Sequence, residues 1–287
     1  MNDLKFILLN KFYNPHKGGV ETTVEEHALW LSKNRNYRVK VIVTNEVPLK
    51  ITKYKKIKNN LEIIKTNQMG TFLSMPISIL YPLYFFKNLA KNNIVFLHEP
   101  WPLGSICLFL ANIFARNKII SIVFWHADTK KFRILDKLIF YFQKKNIQNA
   151  NLLIVSNKLV LQNSLVNKID NIYDKIFELP IPINEVIGNE KVSLKIKEII
   201  EDNKNKEIFF FFGRLVKYKG VEVLLNSFSY IQNNKVILIA GEGSLSAQVK
   251  ENSKKYNNIF FIERFLNENE KRFLFKNATA FLFPSIN

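Results

Sequence analysis

The stretch Glu207-Ile-Phe-Phe-Phe-Phe-Gly-Arg-Leu-Val-Lys-Tyr-Lys-Gly-Val-Glu-Val-Leu-Leu225 combines an apolar run, a basic loop and the start of a helix-like pattern. The apolar run Glu207–Phe212 favours a strand of a parallel sheet that is covered on both faces. Gly213 and Gly220 bound the loop that follows. Because ligands bind at the carboxyl ends of strands in doubly wound sheets, this loop is the first candidate site.

The same alternation of apolar runs and helix-length segments extends in both directions along the chain. Strands are predicted at Leu4–Leu9, Arg38–Thr44, Leu61–Thr66, Ile94–His98, Lys118–Trp125, Asn151–Ser156, Glu207–Phe212, Val236–Ala240, Ile259–Ile262 and Thr279–Phe283. Helices are predicted at Val20–Asn34, Pro76–Lys91, Leu103–Ala115, Lys131–Asn146, Gly220–Gln232, Ser244–Tyr256 and Asn267–Lys276. This alternation predicts an α/β protein with doubly wound parallel sheets.

The chain has 287 residues, which suggests two domains of the usual ~100–200 residues. A proline-interrupted segment, Glu178–Asn184, is followed by a charged stretch, and we interpret it as the hinge. The predicted domains are therefore residues 1–183 and 184–287. The second has only four predicted strands, fewer than the five or six common in open doubly wound sheets, so we expect it to be incomplete.

Composition excludes several classes of protein. Apolar residues make up 47% of the chain, which argues against global disorder. The one cysteine, Cys107, rules out a disulfide within the chain and lies in an apolar run, as a buried residue would. The longest apolar stretch, Trp101–Ala115, is shorter than the ~20 residues that cross a bilayer. We expect a cytoplasmic protein without a spanning helix or a secretory signal.

The net charge of +18 is concentrated in the first half. Residues 51–150 hold 15 Lys/Arg against 4 Asp/Glu. Such a region can meet nucleic acid, an anionic membrane or a phosphorylated substrate, and the alternative is a merely solvated basic surface. Because the chain has no helix-turn-helix, zinc or aromatic-glycine RNA motif, a nucleic-acid partner is disfavoured. We expect reversible association with an anionic membrane through residues 51–150 and their apolar segments Phe72–Phe86 and Trp101–Phe114.

The loop Gly213–Gly220 has the chemistry of a phosphate site. The guanidinium of Arg214 can grip a diphosphate with two hydrogen bonds, and Lys219 adds a point charge. A helix N-terminus beside them offers free N–H groups and a positive dipole end. A basic surface turn is the alternative. A second loop, Gly241-Glu242-Gly243, follows the next strand. It is either a plain turn or, together with Gly213, a second wall of a nucleotide pocket.

Two further loops follow strands of the first domain. His16-Lys-Gly-Gly-Val-Glu21 lets the backbone of Gly18 and Gly19 approach a phosphate or a sugar, with a plain turn as the alternative. His126-Ala-Asp128 places a histidine beside an acid, where it can hydrogen-bond sugar hydroxyls, with an ordinary loop histidine as the alternative. No Cys/His/Asp spacing resembles a closed metal site, so no metal is expected.

Taken together, five segments resemble family 4 glycosyltransferases of the GT-B fold, and they occur in that family's order. They are Gly18-Gly-Val-Glu21, His126-Ala-Asp128, Gly213–Leu225, Ile239-Ala-Gly-Glu-Gly-Ser-Leu245 and Ala280-Phe-Leu-Phe-Pro-Ser285. The resemblance implies two facing Rossmann-like domains, with the donor held mainly by the second. It implies transfer of a sugar with retention of configuration and without a bound metal or other cofactor.

The resemblance also implies residue roles. Arg214 and Lys219 would bind the donor diphosphate, Gly18 and Gly19 would approach the phosphates or the acceptor, and His126 would contact the transferred sugar. We take His126 and Asp128 as the candidate catalytic residues. His126-Ala-Asp128 and the Lys217-Tyr-Lys219 segment lean toward mannosyl- or rhamnosyltransferases, with GDP-mannose favoured over UDP-sugars. The acceptor would be a surface polysaccharide or lipid-linked glycan at the inner face of the cytoplasmic membrane.

One part of the family pattern does not occur in these residues. The family continues after a Pro-Ser segment with a paired-glutamate motif, whereas the sequence ends at Asn287. From this we expect a truncated chain, a fragment or half of a split gene. The alternatives to an active transferase are a non-catalytic remnant that keeps nucleotide or membrane binding and, with less support, a basic nucleic-acid-binding protein.

Overall fold

The structure is a computed structural model that describes residues 4–16, 18–58, 60–72, 75–115, 119–128, 134–162, 164–181, 191–230 and 234–286. It divides into two compact units, Met1–Asn184 and Glu185–Asn287. The domain boundary proposed from the sequence, between residues 183 and 184, falls one residue earlier. Most of the interdomain segment, residues 182–190, lies outside the described residues, so the predicted hinge is described only up to residue 181.

The described residues of the first unit include ten strands, most of them apolar. They are β1 (Leu4–Leu9), β2 (Tyr37–Thr44), β3 (Lys53–Lys58), β4 (Leu61–Thr66), β5 (Gly70–Phe72), β6 (Met75–Ile77), β7 (Asn93–Glu99), β8 (Ile119–Trp125), β9 (Leu152–Val155) and β10 (Ile176–Glu178). Eight of them form one sheet in the order β10-β9-β8-β7-β1-β2-β4-β3. All its pairs are parallel except β3 with β4.

Helices cover both faces of this sheet. They are α1 (Gly19–Leu31), α2 (Leu80–Asn88), α3 (Pro102–Ala115), α4 (Ile134–Asn149) and the short α5 (Leu159–Gln162). Successive residues of β1 point to opposite faces, so Phe6 and Leu8 pack with Val24 of α1, whereas Ile7 packs with Cys107 of α3. The predicted doubly wound parallel sheet is therefore confirmed for this unit. It places the loops after β1, β2, β4, β7 and β8 at one edge.

The second unit repeats this plan on a smaller scale. Its strands are β11 (Glu207–Phe212), β12 (Lys235–Ala240), β13 (Ile259–Ile262) and β14 (Ala280–Phe281), all parallel, in the order β13-β12-β11-β14. Its helices are α6 (Leu194–Asp202), α7 (Val221–Ser227), α8 (Ser246–Ser253) and α9 (Glu268–Asn277). One core cluster joins the sheet to α6 and α9, and the other joins it to α7 and α8.

Several elements differ from the sequence expectations. The basic stretch before β4 is a strand, β3, at the sheet edge, where lysines can point into water and blunt an exposed edge. The segment predicted as a helix from Pro76 to Lys91 begins with the hairpin β5–β6, and its helix starts only at Leu80. The hydroxyl of Ser78 accepts a hydrogen bond from the Tyr81 N–H at 3.1 Å and helps to fix that start.

Two of the other elements that differ lie in segments for which the sequence predicts no helix or strand. The first is α6, where Ser193 caps the helix and the buried residues Ile196, Ile199 and Ile200 lie on one face. The apolar residues of α6 are spaced three and four positions apart, but the many charged residues between them made this pattern hard to recognise in the sequence. The second is β10, three residues long, which closes one edge of the first sheet.

Candidate functional site

The loop after β11 is shaped by its two glycines. Gly213 ends the strand with a φ of 150°, and a 3-10 turn spans Lys217–Lys219. Gly220 then adopts the left-handed conformation, φ 68°, directly before α7. A β-carbon at Gly220 would also collide with the carbonyl oxygen of Pro284, so only glycine fits here.

The loop after β12 interlocks with the first. The Leu215 N–H donates to the Glu242 carbonyl at 2.9 Å, and the Leu245 N–H donates back to the Leu215 carbonyl at 2.9 Å. Gly241 has a φ of 149°, and a β-carbon there would collide with the carbonyl oxygen of Gly213. The two loops predicted to share a pocket are therefore joined backbone to backbone at the carboxyl end of the sheet.

The side chains at this edge are cationic. Arg214 is exposed, and its guanidinium donates to the Tyr218 hydroxyl. The Lys219 ammonium lies 5.5 Å from the centre of the Tyr218 ring and 5.2 Å from that of Phe283. Within the described ranges, no carboxylate lies within 4.0 Å of Arg214 or Lys219. Both cations are thus available to an anionic ligand, and aromatic rings hold them in place.

The helix after this loop differs from the expectation. The sequence predicts a helix at Gly220–Gln232, but α7 has seven residues and continues as a 3-10 turn over Phe228–Tyr230. Since the field at a helix N-terminus depends on the aligned peptide dipoles, a helix this short contributes little. The groups at this loop that are suited to an anion are therefore mainly the side chains of Arg214 and Lys219 and the N–H groups of the loop.

The glycines of the first unit occupy a different setting. Gly18 has extended backbone at the N-terminus of α1, and a β-carbon there would meet only the flexible carboxylate of Glu21. A β-carbon on Gly19 would meet nothing within 4 Å. Neither glycine is required by packing. The open space at Gly19 leaves the first turn of α1, with its free N–H groups, accessible to a ligand.

His126 belongs to a cluster of three histidines, and the sequence alone did not predict the whole cluster. Its Nε2 lies 3.1 Å from Nδ1 of the fully buried His98, so one of these nitrogens donates and the other accepts. The ring of His126 stacks on Phe124 with centroids 4.1 Å apart. His27 of α1 completes the cluster, with its ring 5.4 Å from that of His98. Three of the chain's four histidines thus meet at this edge.

Burial keeps these imidazoles neutral. It lowers the pKa of His126 to about 4, with a smaller effect from His27, and it lowers the pKa of His27 to about 4. Burial also holds the pKa of His98 well below its usual range. A neutral imidazole carries one donor and one acceptor nitrogen, so His126 is suited to hydrogen bonding with hydroxyls and not to pairing with phosphate.

Asp128 has structural partners. Its carboxylate accepts hydrogen bonds from the Ser164 hydroxyl and, at 3.1 Å, from the Leu165 N–H. These contacts hold the start of a 3-10 helix over Leu165–Lys168. The side chain therefore orders the segment beside the His126 loop. No described contact joins the carboxylate of Asp128 to His126.

A second carboxylate, Glu99, was not singled out from the sequence. It is fully buried after His98 and accepts hydrogen bonds from the Trp101 N–H at 2.7 Å, from Gln143 Nε2 at 3.1 Å and from the Ser105 hydroxyl. Burial raises its pKa. Its backbone carbonyl accepts the N–H of His126 at 3.2 Å, which fixes where the His126 loop leaves β8.

The described residues contain no group of three or more His, Cys, Asp or Glu side chains that could hold a metal ion. Nor does that part of the chain include a helix with the length and apolar character needed to cross a membrane. The missed residues carried weak signals. His27 lies in mid-helix, and Glu99 differs from an ordinary strand-end acid only by its burial in the fold.

Comparisons with known proteins find similarity to glycosyltransferases. Residues 192–287 match the family model described as glycosyl transferases group 1. Over 284 residues, the chain is similar to an uncharacterized glycosyltransferase of Methanocaldococcus jannaschii, with 26% identity and coverage of 91% of this chain and 70% of that protein.

Two solved structures show the same fold at low sequence identity. One, from E. coli, is described as trehalose-6-phosphate bound with UDP-2-fluoro glucose; it has a TM-score of 0.67, 13% identity, and coverage of 99% of this chain and 78% of that one. The other is the catalytic domain of starch synthase IV from Arabidopsis thaliana bound to ADP and acarbose, with a TM-score of 0.68, 9% identity, and coverage of 100% and 79%.

Proposed function

We propose that this chain, a glycosyltransferase of the GT-B fold, moves a hexose such as mannose from a nucleotide diphosphate sugar to a glycan or lipid-linked glycan, with retention of configuration. The observation that carries the donor half of the proposal is the pair Arg214 and Lys219. Both are cations at the carboxyl end of a parallel sheet, and neither has a carboxylate partner in the described ranges.

In this proposal, the two cations stabilise the leaving group. When the sugar–oxygen bond of the donor breaks, negative charge grows on the diphosphate. A fork of guanidinium donors and an ammonium aimed at that charge interact more strongly with the transition state than with the intact donor. The interlocked backbone of the two loops keeps both cations positioned without reorganisation during the reaction.

His126 supplies the sugar-binding half of the proposal. Its imidazole is neutral and half-buried, and its Nε2 is engaged by His98. The remaining nitrogen, Nδ1, can exchange one hydrogen bond with a hydroxyl of the transferred hexose. Asp128 contributes by ordering residues 164–168, and the backbone of Gly18 and Gly19 offers N–H groups to the donor phosphates or the acceptor.

The identity of the nucleotide is the finer part of the proposal. We favour GDP-mannose over UDP-sugars on the His126-Ala-Asp128 and Lys217-Tyr-Lys219 segments. The two similar structures hold UDP-2-fluoro glucose and ADP, respectively, so the fold accommodates different bases in those proteins. For the acceptor we favour a polysaccharide or lipid-linked glycan at an anionic membrane, because residues 51–150 are strongly basic.

The experiment that tests this function is a ligand panel followed by product analysis. GDP-, UDP- and ADP-sugars are compared by the shift in Tm that each causes, since a ligand that binds the folded state raises stability by mass action. The stabilising donor is then incubated with glycan acceptors, and the anomeric configuration of the product is read by NMR. Stabilisation by GDP-mannose and a retained configuration are expected. A chain that no sugar nucleotide stabilises would refute the proposal.

A further inference from the structure

The first unit exposes large apolar side chains around one corner of its sheet. Leu49 is 75% exposed and Ile51 is 82% exposed, both in the loop 45–52 after β2. The hairpin and its flanks, residues 67–72 and 75–80, add further exposed apolar side chains: Met69, Phe72, Ile77 and Ile79. We call these two segments together the loop–hairpin surface. Scattered exposed apolar residues are ordinary, but a contiguous group of this kind marks an interaction site.

Hydrogen bonds join the two segments into one surface. The Leu49 N–H donates to the Gln68 carbonyl at 2.7 Å, and the Met69 N–H donates to the Ile77 carbonyl at 2.8 Å. The side chain of Asn45 donates to the carbonyl of Ile51 at 3.1 Å. Since β2 and β4 are neighbours in the sheet, both segments leave the same edge that carries Gly18, Gly19 and His126.

Exposed lysines flank these apolar tips. They are Lys50, Lys53, Lys55 and Lys56, and none has a carboxylate within 4.0 Å in the parts of the chain that the structure describes. The nearby acids are already paired, Glu46 with Lys65 at 2.5 Å and Glu62 with Lys40 at 3.2 Å. The surface therefore combines apolar tips with unpaired positive charge.

We propose that the loop–hairpin surface docks this protein on an anionic lipid bilayer. Leu49, Ile51 and Phe72 enter the boundary between headgroups and acyl chains, and the lysines of β3 lie among the anionic headgroups. The proposed function gives this docking its purpose, which is access to a lipid-linked acceptor, but the binding itself is independent of it.

The composition of the surface favours lipid over protein as the partner. The cores of protein–protein interfaces are depleted of lysine, whereas this surface sets lysines directly beside its apolar tips. Basic residues next to exposed apolar side chains are instead the pattern of proteins that lie on anionic membranes. An acidic protein partner would use the lysines and leave Leu49 and Ile51 in water.

The structure also corrects which apolar segments face outward. The sequence reasoning assigned membrane contact to Phe72–Phe86 and to Trp101–Phe114, but most of the second segment is helix α3 packed in the core. Trp101 is 1% exposed, and Cys107 and Leu108 are fully buried. Trp101 instead closes an apolar depression of about 290 Å³ that begins at the hairpin. This depression continues the apolar surface toward the carboxyl end of β7.

Vesicle flotation tests the inference on the whole protein. Vesicles of phosphatidylcholine alone are compared with vesicles holding equal amounts of phosphatidylcholine and phosphatidylglycerol. We expect binding to the anionic vesicles only. The double variant Leu49→Ser/Ile51→Ser is expected to weaken it about 100-fold, since two apolar side chains no longer leave water. Lys50→Gln/Lys53→Gln is expected to weaken it about 30-fold, because each lysine near an anionic surface contributes about fivefold.

Two matched variants serve as controls. Ile113→Ser/Phe114→Ser removes two exposed apolar side chains at the end of α3, and Lys195→Gln/Lys197→Gln removes two exposed charges of α6. Both are expected to float like the unaltered protein. Equal binding to neutral vesicles, or loss of binding in the α3 variant but not in the Leu49/Ile51 variant, would overturn the inference.

Nucleotide binding separates this inference from the proposed function. The shift in Tm caused by GDP, UDP and ADP is measured on the same variants. If the Leu49/Ile51 variant keeps its nucleotide response but no longer binds vesicles, both proposals stand. Vesicle binding without any nucleotide response would refute the donor site and leave the docking surface intact. Failure to bind any vesicle, with a normal nucleotide response, would refute the docking surface alone.

Discussion

The two units present different chemistry at equivalent places, the carboxyl edges of their parallel sheets. In the second unit the edge is cationic, with Arg214 and Lys219 on one loop that is hydrogen-bonded through Leu215 to the next loop, where Gly241 packs on the Gly213 carbonyl. In the first unit the part of the edge around His126 is neutral, with stacked imidazoles. Charge suits a diphosphate, and neutral hydrogen-bonding groups suit sugar hydroxyls, so we propose that the same fold, used twice, serves two kinds of recognition.

The sharpest contrast lies in the glycines, and it leads to the largest expected effect. We expect Gly241→Ala to destabilise the second unit by ~4 kcal/mol, because φ is 149° there and the added carbon collides with the Gly213 carbonyl. Gly19→Ala is its matched control, with nothing within 4 Å, and should change stability by less than ~1 kcal/mol. Hydrogen exchange measures both, on the amides of β11 and β12 for Gly241→Ala and on those of β1 and α1 for Gly19→Ala. Unchanged protection in Gly241→Ala would show that the two loops can separate at little cost.

The second prediction concerns charge. Arg214→Ala and Lys219→Ala should each lower kcat/KM by the equivalent of ~2–4 kcal/mol, since each removes a charged donor from the leaving diphosphate. Lys217→Ala removes an exposed cation from the same loop and is expected to change kcat/KM only a few-fold. Steady-state kinetics with the preferred donor provides the measurement. If Lys217→Ala were as harmful as the other two, the loop would act through its total charge and not through positioned side chains.

Some elements of the two units could be predicted from the sequence and others could not, for physical reasons. The strands β4, β11 and β13 have the predicted bounds, because uninterrupted apolar runs between turn residues specify buried parallel strands. Loop positions at strand ends follow from the same reasoning. The basic strand β3 was missed, since edge pairing depends on a neighbour and not on composition.

The histidine cluster shows what local patterns do not contain. His126 was singled out because it follows a strand, but its pairing with His98 depends on the register of β7 beside β8. The contribution of His27 depends on how α1 packs on that face. Likewise, Asp128 looks like a site acid in the sequence, and its bonds to Ser164 and Leu165 arise only in three dimensions.

The third prediction concerns pH. The stability of the two units should depend on pH differently, because all four histidines lie in the first unit. Burial lowers the pKa of His126 and that of His27 to about 4 in the folded protein, against the ordinary histidine value of 6.5. The unfolded chain therefore binds more protons between these values, so the stability from each neutral imidazole is present above pH ~6.5 and lost as the pH falls through ~4. Each group contributes at most ~3 kcal/mol.

Urea unfolding followed by tryptophan fluorescence tests this, since all three tryptophans lie in the first unit. We expect the free energy of unfolding at about pH 4.5 to fall less in His126→Gln than in the unaltered protein, because the variant has one fewer suppressed protonation site. Identical pH dependence in the two proteins would mean that His126 is solvated and not held neutral by burial.

The smallest expected effect concerns the hydrogen bond between His98 and His126. His98→Phe keeps the ring stack but removes the partner of Nε2, so His126 can carry its proton on either nitrogen. A net hydrogen bond is worth ~1 kcal/mol, so we expect a loss of about five- to tenfold in kcat/KM. The ¹⁵N chemical shifts of the His126 ring report its tautomer directly. A fixed tautomer in the unaltered protein and a mixture in the variant would assign His98 a positioning role. If activity fell while the tautomer stayed fixed, the effect would be one of packing. The contribution of His98 to activity would then depend on the shape of its side chain and not on where the proton of His126 lies.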